Sequence, residues 1–172
     1  MKMSKDELKC ILEKHYEWVT TNGFVGSLAY LRGADLSGVD LRGADLRGAD
    51  LFVPMACPTK GSFTGYKIVT KKGTSEKLIV ELRIPAKAKR SSATGRKCRC
   101  SEAKVVSIST LDGTPVEAVG VSAHDPSFVY EKGKTVKVKN FDPDRWNECT
   151  SGIHFFIDIE EARRCPVFLT KR

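Results

Sequence analysis

Residues 27–51 read SLAYL RGADL SGVDL RGADL RGADL, a period of five sustained through five units. Leu31, Leu36, Leu41, Leu46 and Leu51 share one phase of it. Ala29, Ala34, Val39, Ala44 and Ala49 share a second, always small, and Gly33, Gly38, Gly43 and Gly48 a third. A helix repeats every ~3.6 residues and a strand every ~2, so neither brings every fifth residue to one face. The leucines can be buried together only if the chain turns at every unit. One large and one small residue then point inward, polar residues point outward, and glycine sits near the corner.

This pattern resembles the pentapeptide-repeat family, which builds a right-handed, four-sided β-helix with one pentapeptide per side. The resemblance implies that the Leu and Ala/Val rows point inward. Asp35, Asp40, Asp45 and Asp50 would then face out beside Arg32, Arg42 and Arg47. At about twenty residues per coil, the segment makes only about one and a quarter coils, which can neither bury their own core nor close their edges. Both ends need a cap. Residues 4–21 suit one end. Ser4 and Glu7 form a capping-box pattern, and Leu8, Ile11, Leu12, Tyr16 and Val19 recur at helical spacing. Asn22-Gly23 is a stop signal. On this helix His15 is expected at a partly exposed surface position and Trp18 packed against the segment after the helix. Some family members are long acidic mimics of DNA, a role that needs an extended anionic surface and does not fit a short repeat with mixed Asp and Arg rows.

Charge divides the chain. Residues 1–51 carry 7 Lys/Arg and 8 Asp/Glu, so the net charge of +8 belongs wholly to residues 52–172. Residues 83–104 alone hold eight basic residues against Glu102. That excess makes a field attractive to phosphates or acidic partners. The start of the chain has no uninterrupted apolar run, and no stretch approaches the ~18 apolar residues of a membrane span, so a soluble cytoplasmic protein without a membrane partner is expected. In that compartment the six cysteines are expected as free thiols.

The predicted organisation is a capping helix plus repeat coil (1–52), a Pro- and Gly-containing linker (53–62) and a basic domain (63–172). Strands are predicted at 63–70, 77–84, 103–109, 127–130, 135–140, 153–157 and 167–169, with 127–130 and 135–140 joined across the turn 131–134. Residues 86–100 read as a loop. Asp158 and Glu161 open a short helix running to about Cys165. The fold class is therefore α+β with a short β-helix segment and a mostly antiparallel second domain.

Taken together, LEKHYEW, the RGADL units, GSFTGYK, LRIPAKAKRSSATGRKCR, FVYEKGKTV and NECTSGIHFF resemble a family of small phage and prophage proteins. In these a short pentapeptide-repeat segment precedes an uncharacterised C-terminal domain. The resemblance implies a bacterial host cytoplasm and interference with a host process, but no activity. It also implies an aromatic residue near the end of the second helix, where this chain has Cys165. That difference matters only if the position lines a site.

Three constellations carry possible chemistry. The first is the run of Lys87, Lys89, Arg90, Ser91, Ser92, Thr94, Arg96, Lys97 and Arg99, which offers point charges, forked guanidinium groups and hydroxyls. Such groups hold phosphate oxygens. Lys137 and Lys139 would widen the patch and Tyr66, Phe128 or Tyr130 would stack a base, although the last two suit a core equally well. The second is His154 with Cys149, a general base or nucleophile pair, or else a core histidine satisfied by a backbone carbonyl. The third is Cys98, Cys100, Cys149 and His154 as zinc ligands, weakened by the surrounding cations. Asp142, Asp144, Glu148 and Asp158 suit turns better than Mg²⁺. The favoured expectation is a non-enzymatic accessory protein without a cofactor. Its basic domain would bind a nucleotide, a nucleic acid or an acidic host protein. A nucleotide-acting transferase or hydrolase using His154 is the alternative, and a structural, homo-oligomeric assembly protein a further one.

Overall fold

A computed structural model describes residues 3–32, 34, 36, 41, 44–50, 54–93, 95–145 and 147–165 of the chain. The fold is α+β: an N-terminal helix precedes a domain of antiparallel strands. Among the described residues, no helix is long and apolar enough to cross a membrane.

Helix α1 (Lys5–Thr20) starts at the predicted capping box. The Ser4 hydroxyl accepts from the Glu7 amide at 3.2 Å, and the Glu7 carboxylate accepts from the Ser4 amide at 2.8 Å. It stops at Asn22 and Gly23, both at positive φ, where the Gly23 amide donates to the Trp18 carbonyl at 2.8 Å. One face of the helix covers the repeat. Leu8 packs with Ala29, Leu31, Leu41 and Leu46, and Ile11 and Leu12 flank them.

His15 corrects the expectation of a surface histidine. It is fully buried, its Nδ1 accepts the Ala29 amide at 3.2 Å, and its ring stacks on Trp18. That bond satisfies a backbone donor at the point where the repeat meets the helix. The predicted turn at each unit is present wherever a unit is described. Ala34, Ala44 and Ala49 each donate their amide at 3.1 Å to the carbonyl of Leu31, Leu41 and Leu46, respectively. Tyr30 and Asp50 form a parallel bridge, closed by Leu31 N–H to Asp50 O at 2.7 Å and Asp50 N–H to Ala29 O at 2.9 Å. Arg32 and Arg47 are exposed, as the outward row requires. Leu51, Val39, Asp35, Asp40 and Arg42 lie outside the described residues.

The second domain has two sheets. Strands β1 (Phe63–Lys71), β2 (Lys77–Ile84), β5 (Glu102–Thr110), β6 (Gly120–Val121), β7 (Val129–Tyr130) and β8 (Thr135–Lys137) form one, in the order β7-β6-β1-β2-β5-β8. Strands β3 (Arg90–Ser92), β4 (Cys98–Cys100) and β9 (Ile153–Phe155) form the other, in the order β3-β4-β9. Leu78, Val80, Leu82 and Ile84, alternating on β2, are fully buried and centre the core with Val69, Val105, Ile153 and Phe155. Helix α2 (Ile159–Arg163), capped by Asp158, lies against β1.

Two sequence expectations change here. Residues 86–100 are not a loop throughout, because β3 and β4 pair within them. Nor do 127–130 and 135–140 pair with each other. β7 pairs with β6 and β8 with β5, at opposite edges of the larger sheet. Strand β6 carries too few residues to show a period and went unpredicted. The predicted strand at 167–169 lies outside the described residues.

The sheets meet where Phe155 lies on Gly65. A Cβ at Gly65 would stand 2.5 Å from Phe155 Cδ2. Beside it, Tyr66 and Phe156 exchange backbone hydrogen bonds at 2.7 and 2.8 Å, joining β1 to the chain after β9. Glycine is needed at 65 for this approach, not for backbone conformation. Gly65→Ala is therefore expected to cost ~1–3 kcal/mol in urea unfolding, the range for overpacking a tight core. An unchanged midpoint would contradict the packing described.

Candidate functional site

The eight described residues of the basic run do not assemble into one surface. β3 and β4 are short strands followed and preceded by irregular backbone, whose carbonyls lack ladder partners and must find other donors. The guanidinium groups supply them. Arg90 donates to the carbonyls of Pro58, Gly61, Pro85, Ala86 and Ala88 at 2.9–3.2 Å and lies over the Phe63 ring. Arg99, buried, donates to the carbonyls of Asp142, Asp144 and Ser151 at 3.0, 2.7 and 2.9 Å and lies over Phe141. Arg96 pairs with Glu161 at 2.7 Å. Ser91 and Ser92 are buried, and the Ser92 hydroxyl accepts the Ala56 amide. Lys87 and Lys137 both pair with Glu102, at 3.6 and 3.0 Å. Lys89 and Lys139 are exposed, and Thr94 lies outside the described residues. The expectation of a convergent basic patch is corrected accordingly. Of the eight that are described, only Lys97 reaches the cavity on which His154 opens.

The zinc reading is corrected by register. On β4, Cys98 and Cys100 share a face, as their spacing suggested, but they stand opposite Phe155 and Ile153 in the core. His154 is the partner of Arg99 and so lies on the other face. Among the described residues no group of three or more His, Cys, Asp or Glu is placed to hold a metal ion. The described cysteines are free thiols. Hydrogen bonding between the Cys57 and Cys98 thiols, then burial, pushes Cys98 upward. Burial pushes Cys100 up to about 12. Asp142 accepts the Asp144 amide at 2.9 Å and the Asn147 side-chain amide at 3.0 Å, an Asx turn and not a cation cradle.

The His154 face of β9 opens on a cavity of about 500 Å³, within the range of small-molecule sites. Ile68, Phe128, Tyr130, Val138 and Phe156 make it largely apolar; Ser122, Thr150 and Ser151 add hydroxyls. Lys67, from the inward-facing phase of β1 between Gly65 and Val69, also lines it. Lys67 is 8% exposed and is the buried lysine among the described residues. Its ammonium lies 6.0 Å from the Tyr130 ring centroid. Among the described residues it has neither a hydrogen bond nor an ion pair. Burial, reinforced by the positive charge of Lys97, draws its pKa from the ordinary 10.5 to about 8.

His154 lines the cavity beside it. Its Nε2 lies 3.2 Å from the Glu148 carbonyl, which can only accept, so Nε2 carries the ring proton and Nδ1 is left as a lone-pair acceptor. Burial, then the charges of Lys67, Lys97 and Arg99, lower the ring to about 3, so it is neutral at any physiological pH. The Nε2 bond makes His154 a carbonyl-satisfied histidine and removes that nitrogen as a base for Cys149. Cys149, exposed, instead sits 3.7 Å from the Lys97 ammonium. Cys165, where the resemblance implied an aromatic, lines this cavity. Sequence reasoning missed Lys67. Its signal was a lysine in the buried phase of an otherwise apolar alternation.

Residues 27–51 match the family of pentapeptide repeats (8 copies). Residues 53–162 match a family of unknown function, DUF5758. The chain belongs to the DUF5758 family. No curated protein matches it, and no solved structure does. The DUF5758 region takes in both sheets and every cavity residue except Cys165. The chemistry of the cavity is thus a property of the DUF5758 region and not of the repeat.

A buried ammonium near 8 has a stability consequence. The unfolded chain holds the Lys67 proton up to about 10.5 and the folded one only to about 8, so stability rises with pH between these values. Below about 8 the buried charge costs on the order of 3 kcal/mol. Lys67→Met is expected to stabilise the protein by ~1–3 kcal/mol at pH 7 in urea unfolding, with the gain shrinking toward pH 10. A loss of stability at pH 7, or a gain independent of pH, would contradict the assignment.

Proposed function

We propose that the DUF5758 region binds a small anionic molecule with an apolar body, its charged end on Lys67 and the body between the cavity walls. The observation that carries this reading is the Lys67 ammonium, buried in a ligand-sized cavity without an anionic partner among the described residues. A buried cation is unfavourable until an anion meets it, so the free site favours occupation by one. Lys97, half-buried at the same cavity, adds a second positive charge for the same group. The tilted pair of Phe128 and Tyr130, with ring centroids 5.5 Å apart, supplies apolar wall area. A nucleotide remains within this class. A nucleic acid or an acidic protein surface is less well supported, because the guanidinium groups of the basic run are engaged with carbonyls and Glu161.

The repeat segment is read here as one coil of a right-handed β-helix. The parallel Tyr30–Asp50 bridge and the repeated turn at each unit support that geometry. Its part would be structural, under the cap of α1. The phage-type setting and an action against a host process rest on resemblance alone, and the cavity chemistry does not depend on them.

The test is a titration with benzoate, inorganic phosphate and adenosine monophosphate, followed by backbone amide shifts. At least one is expected to move the signals of Ser122, Phe128 and Thr150–Gly152, with affinity falling at least about tenfold in Lys67→Gln and as pH rises well past 8. Arg96→Gln should bind like the parent. No response to any of the three, or equal affinity in Lys67→Gln, would overturn the reading.

A further inference from the structure

Lys67 combines features that anion binding alone does not require. A surface arginine or lysine holds an anion well, whereas this amine is deep, lacks a hydrogen-bonding partner among the described residues and faces apolar walls. Removing water and counter-charge from a lysine is the arrangement that makes its amine a nucleophile. The neutral form then becomes accessible near neutrality, as the shift to about 8 reflects. His154 adds a neutral imidazole in the same cavity, with Nδ1 free of the Glu148 bond. An amine that must lose a proton to react therefore shares one space with a neutral hydrogen-bond acceptor.

We infer that Lys67 forms a reversible imine with an aldehyde that also carries an anionic group, the aldehyde reaching Lys67 and the anion held by Lys97. This rests on the proposed anion site, with the anionic group of an aldehyde ligand moved from Lys67 to Lys97 and Lys67 left to the carbonyl. The neutral Lys67 amine adds through its lone pair to the carbonyl carbon, and the carbonyl π pair moves to oxygen. One nitrogen proton is transferred to that oxygen to give the carbinolamine. His154 Nδ1, a neutral acceptor, holds the amine by a hydrogen bond while the proton passes to that oxygen. Loss of the hydroxyl with the second nitrogen proton as water leaves the C=N bond. The balance is amine plus aldehyde to imine plus water, with no oxidant or reductant.

The experiment uses the full chain with 4-formylbenzoate as probe and cyanoborohydride to reduce any imine, followed by peptide mapping by mass spectrometry. The exposed lysines Lys89 and Lys139 serve as internal controls. Lys67 is expected to be labelled at least about tenfold faster than either, because a far larger fraction of its amine is neutral at pH 7. When the imine is instead trapped by a brief borohydride pulse at each pH, Lys67 labelling should rise with pH and level off above about 8, while the controls continue to rise toward pH 10. Lys67→Arg should abolish that adduct, and Lys97→Gln should slow it without moving the pH at which it levels off. His154→Gln should slow it too. 4-Methylbenzoate, which lacks the aldehyde, separates the two readings. If it binds in the cavity and protects Lys67 but the aldehyde labels all lysines alike, the imine is overturned and the anion site stands. If neither molecule binds, both fall.

Discussion

A cation inside a protein must be met by acceptors, and the second domain meets that requirement in two opposite ways. Arg99 is buried and its guanidinium is shared among three carbonyls of the segment 142–151. The bonds run both ways in effect: the cation is solvated by backbone, and irregular backbone is fixed by one side chain. That segment and Gly152 beside it supply Cys149, Thr150, Ser151 and Gly152 to the cavity wall. The cavity thus exists in this shape because Arg99 holds its wall. Arg90 does the same for the chain at 58–61 and 85–88, and Arg145 donates to the carbonyls of Ser92 and Ala93. Lys67 is the contrast. It is buried like Arg99, yet the described residues offer it only the ring of Tyr130. Arg90 and Arg99 are met by carbonyls, whereas Lys67, at the cavity, has no such acceptor among the described residues; on the proposed reading a ligand supplies it.

The two parts of the chain solve different problems. The repeat has a fixed inward row and too little length, so it depends on α1 for cover, and the two are tied by His15 to Ala29. The second domain has its own core around β2 and needs no help from the repeat to bury it. Chemistry and scaffold are separated in sequence as well, since the cavity residues begin at Lys67.

Much of the fold was legible. The repeat predicted a turn at each unit, found wherever a unit is described, the capping box and Asn22-Gly23 marked both ends of α1, and clean alternation gave β2. What failed did so for identifiable reasons. β3 and β4 are too short to show a period, and part of what holds their arginines is carbonyls ~30–50 residues away, which no local pattern encodes. The hairpin expected across 131–134 was a choice of partner, and pairing is decided by the whole sheet. For the site, a dense run of cations drew attention to residues whose charge is used inside the protein. The residue on which the proposed reading rests is a single lysine in a strand already assigned. His154 took the carbonyl-bound option among those its sequence context allowed, but its neighbour across β4, Arg99, was read as surface when it is core.

The chemistry of the cavity therefore stands on the state of one ammonium group. Heteronuclear NMR of selectively labelled lysine, tracking the ε-carbon and ζ-nitrogen shifts of Lys67 against pH, reads that state directly. A midpoint near 8 in the ligand-free protein, moving upward when benzoate or phosphate is added, is the expected result. A midpoint at the ordinary 10.5 would mean that Lys67 is already solvated or paired, and the cavity would lose its reason to attract an anion.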